Sequence, residues 1–337
     1  MAERDSQTLR LPDGRVLGFA EYGAPKGKPV FFFHGFPSSR LEASGIPELI
    51  NRQDLRIIAP ERPGFGLSTF NPRHRITDWP ADVRALAAHL GLRRFAILGG
   101  SGGAPYALAC ARALPAEMMS AVGLMAPAGP WKEAGIANVP RSSRITAFMA
   151  WYWPSTLRVV SAGIIGLCRW LATTEFVTRQ IDTWLEKSSN RKREAQADPA
   201  TAPQALTKTT IKQSTPSTVE KREGLLRTVF ETFRQGTAPM VRESQLLTWE
   251  GWGFPVAEVR YNKVLIWHGT EDGQSPIHMV RYLARQLPYC ELRELEGETH
   301  FTLAKHLGRI FDELVPLDGG DGQGQGNGGL STLSERP

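Results

Sequence analysis

Short, uninterrupted runs of apolar residues recur along the chain, and stretches of helical periodicity lie between them. Such runs are typical of strands that are buried on both faces, as in a parallel sheet. Two alternating runs at residues 8–11 and 16–22 flank the turn signal Pro12-Asp13-Gly14 and predict an opening hairpin. An alternating run that begins at Cys290 predicts a further strand near an edge. The buried strands are predicted at residues 30–33, 56–59, 95–98, 121–125 and 264–267.

Helices are predicted between these strands at residues 78–91 and 104–114, and a third helix opens at Pro276. In the first of them Asp78 can cap the helix and Gly91 can end it, while apolar residues between them share one face. Strands that alternate with helices predict an α/β fold, in which a mostly parallel sheet is flanked by helices.

The alternation stops after Met125 and resumes near Val264, with a stretch between them that is rich in helix formers and aromatic residues. We therefore expect residues 1–129 and 255–316 to form the α/β core and residues 130–254 to form an inserted helical cap. Within the cap, residues 187–222 are polar and predict a mobile connector. The glycine-rich tail, residues 317–337, predicts disorder.

Composition narrows the functional class. The formal net charge of +6 over 337 residues is mild, and no basic stripe with interleaved aromatic residues indicates a nucleic-acid partner. The three cysteines, Cys110, Cys168 and Cys290, are widely spaced, so the sequence supports neither a zinc site nor a disulfide framework. Reduced thiols and a polar N-terminal segment without signal-peptide character predict a cytoplasmic protein.

The most apolar region, residues 145–172, contains Pro154, Arg158 and Arg169. These residues interrupt it before it reaches the length of a spanning helix. We expect helices that need to be covered, with a segment that lies on a membrane surface as the alternative, and we expect no stable membrane insertion. The oligomeric state is not encoded in any pattern of the sequence.

A serine stands between two pairs of glycines in the sequence Leu98-Gly99-Gly100-Ser101-Gly102-Gly103. This matches G-x-S-x-G and lies between a predicted buried strand and a predicted helix, which is the setting that a nucleophile elbow requires. Glycines two residues away from the serine would allow a sharp strand-to-helix turn. The alternative is a glycine-rich phosphate-binding turn, but the GK[ST] ending and the GxGxxG spacing are both absent.

A serine nucleophile needs a base, and the base needs an acid that orients it. His300 follows the last predicted strand and is the best placed of the seven histidines. Asp272 lies on the loop after the strand at residues 264–267, with Glu271 as the alternative acid. The candidate oxyanion donors are the backbone N–H groups of Gly102, the residue after the nucleophile, and of Phe36, on the loop after another predicted buried strand.

Taken together, these residues resemble the α/β-hydrolase fold family, in particular its single-domain hydrolases with a helical cap. The motifs that carry the resemblance are His34-Gly35-Phe36-Pro37, residues 62–68, the turn around Ser101, residues 269–272 and residues 297–300. The likeness covers roughly residues 8–130 and 255–315. It implies that Arg62 to Ser68 form a structural turn and that residues 130–254 correspond to the cap.

The resemblance also distinguishes this chain from related enzymes that catalyse other reactions. Epoxide hydrolases and haloalkane dehalogenases have an aspartate where this chain has Ser101, so neither reaction is expected. Proline-type aminopeptidases share the Gly-Gly-Ser start but typically have tryptophan after the serine, where this chain has Gly102. They also need cap carboxylates that bind a free amine, and the predicted cap is mostly basic or apolar.

The cap contains a cluster of aromatic residues, among which Phe148, Trp151 and Trp153 are candidates to line an apolar substrate pocket; the alternative is that they only pack the cap onto the sheet. We therefore expect a serine hydrolase that cleaves carboxylic ester, lactone or thioester bonds of a lipophilic small molecule, with no metal and no organic cofactor. The alternatives are an acyltransferase or thioesterase, a carbon–carbon bond hydrolase, an aminopeptidase, and a ligand-binding receptor without turnover.

Overall fold

An eight-stranded sheet forms the centre of the protein, and the predicted fold class is confirmed. The computed structural model describes residues 4–46, 52–197 and 217–316. The strands are β1 (Gln7–Arg10), β2 (Val16–Gly23), β3 (Lys28–Phe33), β4 (Leu55–Pro60), β5 (Phe95–Gly100), β6 (Met119–Met125), β7 (Val264–Gly269) and β8 (Cys290–Leu295). Each contains or overlaps a run that the apolar pattern predicts.

The strand order across the sheet is β1-β2-β4-β3-β5-β6-β7-β8. β2 is antiparallel to both of its neighbours, and β3 to β8 are parallel to one another. The direction of the strand order reverses between β3 and β5. In open α/β sheets the crevice at the carboxyl ends of such strands is where ligands bind, so this point predicts the position of the functional site.

The helices are α1 (Trp79–His89), α2 (Ala104–Ala113), α3 (Trp131–Ala134), α4 (Arg141–Tyr152), α5 (Pro154–Leu171), α6 (Glu175–Ala197), α7 (Thr218–Glu231), α8 (Ala238–Leu247), α9 (Ile277–Gln286) and α10 (Leu307–Leu314). Within the described part of the chain, α3 to α8 lie between β6 and β7 and are called the inserted helices below. The predicted tail, residues 317–337, lies outside the described residues.

Two apolar clusters cover the two faces of the sheet. Along β3, Phe31 and Phe33 belong to the cluster that contains α1, α2 and α9, whereas Val30 and Phe32 belong to the cluster that contains α10. Neighbouring residues of a strand point to opposite faces, so a continuous apolar run is what a strand between two layers of helices requires.

Both ends of the polar segment at residues 187–222, the predicted connector, are helical. α6 continues to Ala197 and α7 begins at Thr218. Lys, Arg, Glu, Gln and Ala are strong helix formers even when no apolar face is present. At the start of α7, Ser217 and Glu220 form a capping box. Residues 198–216 lie outside the described residues.

Buried ion pairs fasten the inserted helices to the core. Arg62, which follows β4, donates from Nε to Glu243 of α8 at 2.7 Å, and both side chains are fully buried. Arg40 donates from Nη1 to Glu61 at 2.7 Å and to Glu231 of α7 at 2.6 Å. An unpaired buried charge is strongly unfavourable, so each pair fixes the position of an inserted helix relative to the core.

No single helix among the described residues has both the length and the apolar composition to cross a membrane. The pair formed by α5 and residues 175–189 of α6 meets that criterion only together and is bent by 81°.

The Arg62–Glu243 pair should make the free energy of unfolding depend on pH in the acidic range. Burial alone would raise the pKa of the Glu243 carboxyl, but Arg62, His74 and Tyr106 outweigh that effect and lower the pKa to about 2. Since the folded-state pKa lies below the ordinary value of 4.5, the pair stabilises the protein fully above that value. This contribution is lost as the pH falls from 4.5 towards 2.

We therefore expect Glu243→Gln to lower the free energy of unfolding at pH 7 by about 3–5 kcal/mol, because it leaves the Arg62 guanidinium buried without a counter-charge. The deficit relative to the wild type should shrink as the pH is lowered below 4.5, measured by urea unfolding at a series of pH values. The matched control is Glu250→Gln, since Glu250 pairs with Arg242 at a more exposed position. Equal deficits for the two variants at pH 7 would contradict the assignment.

Candidate active site

Ser101 lies at a sharp turn between β5 and α2. Residues 101–103 form a short 3₁₀ turn that leads into α2, and Ser101 has a φ of 49°. A positive φ is unfavourable for a residue with a side chain and persists only where the surroundings enforce it. Here the carbonyl of Ser101 accepts a hydrogen bond from the N–H of Ala128 at 3.0 Å, which ties the turn to the end of β6.

The glycines around Ser101 are required by close backbone packing. A Cβ on Gly99 would lie 2.8 Å from the carbonyl oxygen of Gly103 and 2.9 Å from the Cα of Ala104. A Cβ on Gly103 would overlap the carbonyl oxygen of Phe33 at the end of β3. These two glycines, each two residues from the serine, therefore allow β5 and α2 to meet at the angle that exposes the hydroxyl of Ser101.

The side chains of Ser101, His300 and Asp272 form one hydrogen-bonded chain. His300 Nε2 is 3.1 Å from Ser101 Oγ, and His300 Nδ1 is 2.7 Å from Asp272 Oδ2. The three residues come from the ends of β5, β8 and β7, which meet at the carboxyl edge of the sheet. This arrangement has the geometry of a nucleophile, a base and an acid that orients the base.

Asp272 is buried and is held in place by backbone donors. Its Oδ1 accepts hydrogen bonds from the N–H groups of Gln274 and Ser275, both at 2.8 Å, which leaves Oδ2 for His300. Glu271, the alternative acid, is exposed. A second histidine, His268, lies 3.8 Å from Oδ2. Burial lowers the pKa of His268, which favours its neutral imidazole.

The candidate oxyanion donors, Phe36 and Gly102, lie side by side. A Cβ on Gly102 would be 2.7 Å from the Cβ of Phe36 and 3.3 Å from its backbone nitrogen. Within the described residues, the N–H of Phe36 has no hydrogen-bond acceptor. Two backbone donors beside Ser101, one after β3 and one after β5, match the arrangement that stabilises an oxyanion in acyl transfer.

The buried guanidinium of Arg62 holds the loop that carries Phe36. Its Nη1 donates to the carbonyl of His34 at 2.5 Å and its Nη2 to the carbonyl of Gly35 at 2.8 Å, while Glu243 neutralises its charge. The sequence had indicated only a structural turn at residues 62–68. Nothing in the sequence pairs Arg62 with Glu243, which lies far along the chain on α8.

Two cavities meet at Ser101 and His300. The first, about 360 Å³, lies towards the inserted helices and is lined by Trp131, Thr146, Leu247 and other residues. The second, about 340 Å³, lies towards the core. It contains the carboxyl group of Glu42, which accepts a hydrogen bond from the N–H of Gly35 at 2.9 Å. Burial raises the pKa of the Glu42 carboxyl above its ordinary value.

The aromatic residues proposed as pocket residues lie elsewhere. Phe148, Trp151 and Trp153 are not part of the lining of either cavity, and 43–57% of each side chain is exposed. The reason is the orientation of α4, whose inner side carries small residues such as Ala147 and Ala150, both buried. The aromatic lining of the first cavity comes instead from Phe36, Trp131 and Phe301.

The described residues contain no cluster of three or more His, Cys, Asp or Glu side chains that could hold a metal ion.

The fold agrees with the comparisons. The family model of the alpha/beta hydrolase fold matches residues 28–162. A carboxylesterase of Nitrososphaera gargenis superimposes with a TM-score of 0.56 at 15% identity, covering 91% of this chain and 96% of its own. An alpha/beta hydrolase from a Medee basin deep-sea metagenome library gives a TM-score of 0.60 at 14% identity, covering 94% and 100%. The chain therefore has the α/β-hydrolase fold, and the resemblance recognised from the motifs is confirmed.

Relatives with curated names are similar over a shorter stretch. A proline iminopeptidase of Xanthomonas citri is 34% identical over 113 residues, which are 31% of this chain and 34% of that protein. A non-heme haloperoxidase of Rhodococcus erythropolis is 33% identical over 92 residues, which are 27% of this chain and 33% of that protein. The chain thus spans about a third of the length of the curated relatives it matches.

Two glycines on either side of Ser101 provide a matched test of the turn. We expect Gly103→Ala to lower the free energy of unfolding by about 1–3 kcal/mol or more, because the added Cβ overlaps the carbonyl of Phe33. Gly100→Ala is the control, since a Cβ there would be no closer than 3.7 Å to its neighbours. Urea unfolding compares the two, and equal stability of both variants would contradict the close approach.

Proposed function

We propose that the protein is a serine hydrolase that cleaves carboxylic esters of lipophilic small molecules through an acyl-enzyme. The observation that carries the proposal is the continuous hydrogen-bonded chain from Ser101 Oγ through His300 to Asp272, next to two backbone N–H groups. Similarity to a carboxylesterase in fold and to hydrolases in sequence supports the reaction class.

The reaction would begin with attack of Ser101 Oγ on the ester carbonyl. His300 Nε2, 3.1 Å away, accepts the serine proton, and Asp272 stabilises the imidazolium that forms through the bond to Nδ1. The N–H groups of Phe36 and Gly102 donate to the oxyanion. His300 then gives its proton to the leaving alcohol. A water molecule, deprotonated by His300, attacks the acyl-enzyme, and the carboxylic acid is released as Ser101 regains its proton.

The polarity of the cavity towards the inserted helices favours esters over peptides with a free amine. No carboxylate is found among the described residues that line this cavity. In the other cavity, the Glu42 carboxyl already accepts a hydrogen bond from the N–H of Gly35, and burial raises its pKa above the ordinary value. Leu247, Trp131 and Phe301 instead provide apolar contact for a lipophilic ester.

Labelling with a fluorophosphonate tests the nucleophile directly. We expect stoichiometric label on Ser101, located by peptide mass spectrometry, in the wild type and none in Ser101→Ala. Ser101→Ala and His300→Ala should each lower kcat for p-nitrophenyl esters by about four to six orders of magnitude, because nucleophile and base act as a unit. The control is Ser120→Ala, an exposed serine on β6. Label on another residue, or retained hydrolysis in Ser101→Ala, would overturn the assignment.

Substitution of two neighbouring carboxylates tests which of them orients His300. Asp272→Asn should lower kcat by about four orders of magnitude, because an amide at this position favours the wrong tautomer of His300. Glu271→Gln, its control at the adjacent exposed position, should stay within about twofold of the wild type. Steady-state kinetics on the same ester compares them. The opposite ranking would show that Glu271 is the acid.

Product analysis separates the ester hydrolase from the alternatives. Turnover of p-nitrophenyl esters with no turnover of proline p-nitroanilide supports the ester hydrolase, and the reverse supports an aminopeptidase. A new ester formed when an alcohol acceptor is added would identify an acyltransferase. Tight stoichiometric binding without product release would identify a receptor.

A further inference from the structure

Large apolar side chains are exposed along the outer side of α4 and α5. Six of them, which we call the outer apolar face, are Phe148, Trp153, Val160, Ile164, Leu167 and Trp170. Between 45% and 62% of each side chain is exposed. Soluble monomers rarely expose contiguous apolar patches of this kind, and such patches mark interaction surfaces.

The six residues share one side of the helical hairpin formed by α4 and α5. Val160, Ile164 and Leu167 follow one another at spacings of four and three residues, which places them on a single helix face. Trp153 stands at the start of α5, and Phe148 packs edge-on against it with ring centroids 5.5 Å apart. The face is therefore continuous from the end of α4 along α5.

A neighbouring stripe of α5 packs against the protein. Leu157 is buried in a cluster with Ala150 of α4 and Val241 of α8. Ser161 and Ile165, four and eight residues further on, are half-buried. This buried stripe fixes the orientation of α5 and leaves the outer apolar face beside it exposed.

All charged side chains of α4 and α5 are positive. Residues 141–171 contain four arginines and no aspartate or glutamate. Within the described part of the chain, none of the four has a carboxylate partner; Arg169, for example, donates only to the carbonyls of Phe230 and Phe233. Apolar side chains together with unneutralised arginines are the composition that binds an anionic lipid surface.

The same charge disfavours a second copy of the chain as the occupant. On α4, Arg141 and Arg144 precede Phe148 by seven and four residues and therefore share its helix face. Two outer apolar faces packed against each other would bring these arginines of both copies together without any intervening carboxylate from α4 or α5. Burying like charges in this way is unfavourable. An anionic bilayer supplies the opposite charge and accepts the apolar side chains at the same time.

α4 also connects this face to the candidate active site. Ser142, Ser143 and Thr146 line the cavity beside Ser101, whereas Phe148 and Tyr152 of the same helix are exposed on the outside. One helix thus separates the outer apolar face from the cavity.

We propose that the outer apolar face docks the protein on an anionic lipid surface. Docking depends only on the outer surface of α4 and α5. A role in delivering lipophilic esters from the lipid phase to Ser101 rests in addition on the proposed function.

Vesicle sedimentation of the full-length Ser101→Ala variant tests docking without any hydrolysis. We expect it to bind vesicles of phosphatidylcholine mixed with phosphatidylglycerol and to bind pure phosphatidylcholine vesicles more weakly. Binding to the mixed vesicles should fall as the ionic strength is raised, because salt screens the arginines.

Substitution of two exposed residues then locates the surface. Leu167→Gln combined with Trp170→Gln should weaken vesicle binding by about tenfold or more. The double variant lacks two large apolar side chains whose transfer from water to the lipid favours binding. Glutamine keeps the helix propensity of α5. The matched control is Tyr289→Gln on the loop before β8, where 58% of the side chain is exposed. It should bind like its parent, and circular dichroism should show wild-type unfolding temperatures for both variants.

Three outcomes would overturn the proposal. The first is the absence of vesicle binding, and the second is equal binding by the double variant and its parent. The third is a dimer in sedimentation velocity that the double variant abolishes, without vesicle binding, which would make the face a contact between copies. Because binding is measured on Ser101→Ala, a failure of docking and a failure of ester hydrolysis are observed independently.

Discussion

The close approach of the turn after β5 to the end of β3 is the constraint on which the site depends. Gly99 and Gly103 let the turn fold against α2 and the Phe33 carbonyl, and the result is a positive φ at Ser101. The same approach brings Gly102 beside Phe36. One packing contact between backbones therefore sets both the exposure of the hydroxyl and the spacing of the two N–H groups next to it.

A buried ion pair connects the sheet to the inserted helices. Arg62 holds the carbonyls of His34 and Gly35, and Glu243 of α8 neutralises it. The loop that carries Phe36 is thereby coupled to the helices that cover the site. A change in the position of α8 would move a buried charge away from its partner, which is expensive in a medium of low dielectric constant. The covering helices and the loop that carries Phe36 are thus held together through one buried ion pair.

The inserted helices have two chemically different sides. Their inner side contributes hydroxyl groups and leucine to the cavity beside Ser101, and their outer side exposes aromatic and aliphatic residues among arginines. An amphipathic helix normally turns its apolar stripe towards the core, so the reversed polarity of α4 needs an explanation outside the fold. Contact with a lipid surface provides one that is consistent with a lipophilic substrate.

The sequence by itself determined the parallel sheet and the motifs that follow its strands. Strands buried on both faces must be continuously apolar, and tight turns must contain glycine. It also indicated Ser101, Asp272 and His300, since each follows a predicted strand end. Only the tertiary structure decided that His300 reaches both partners, that Glu243 neutralises Arg62, and that Phe148, Trp151 and Trp153 face outward. Pairings between distant residues and the rotation of a helix about its axis depend on packing. In α4 and α5 apolar residues occupy more than one side, so helical periodicity does not show which side is covered.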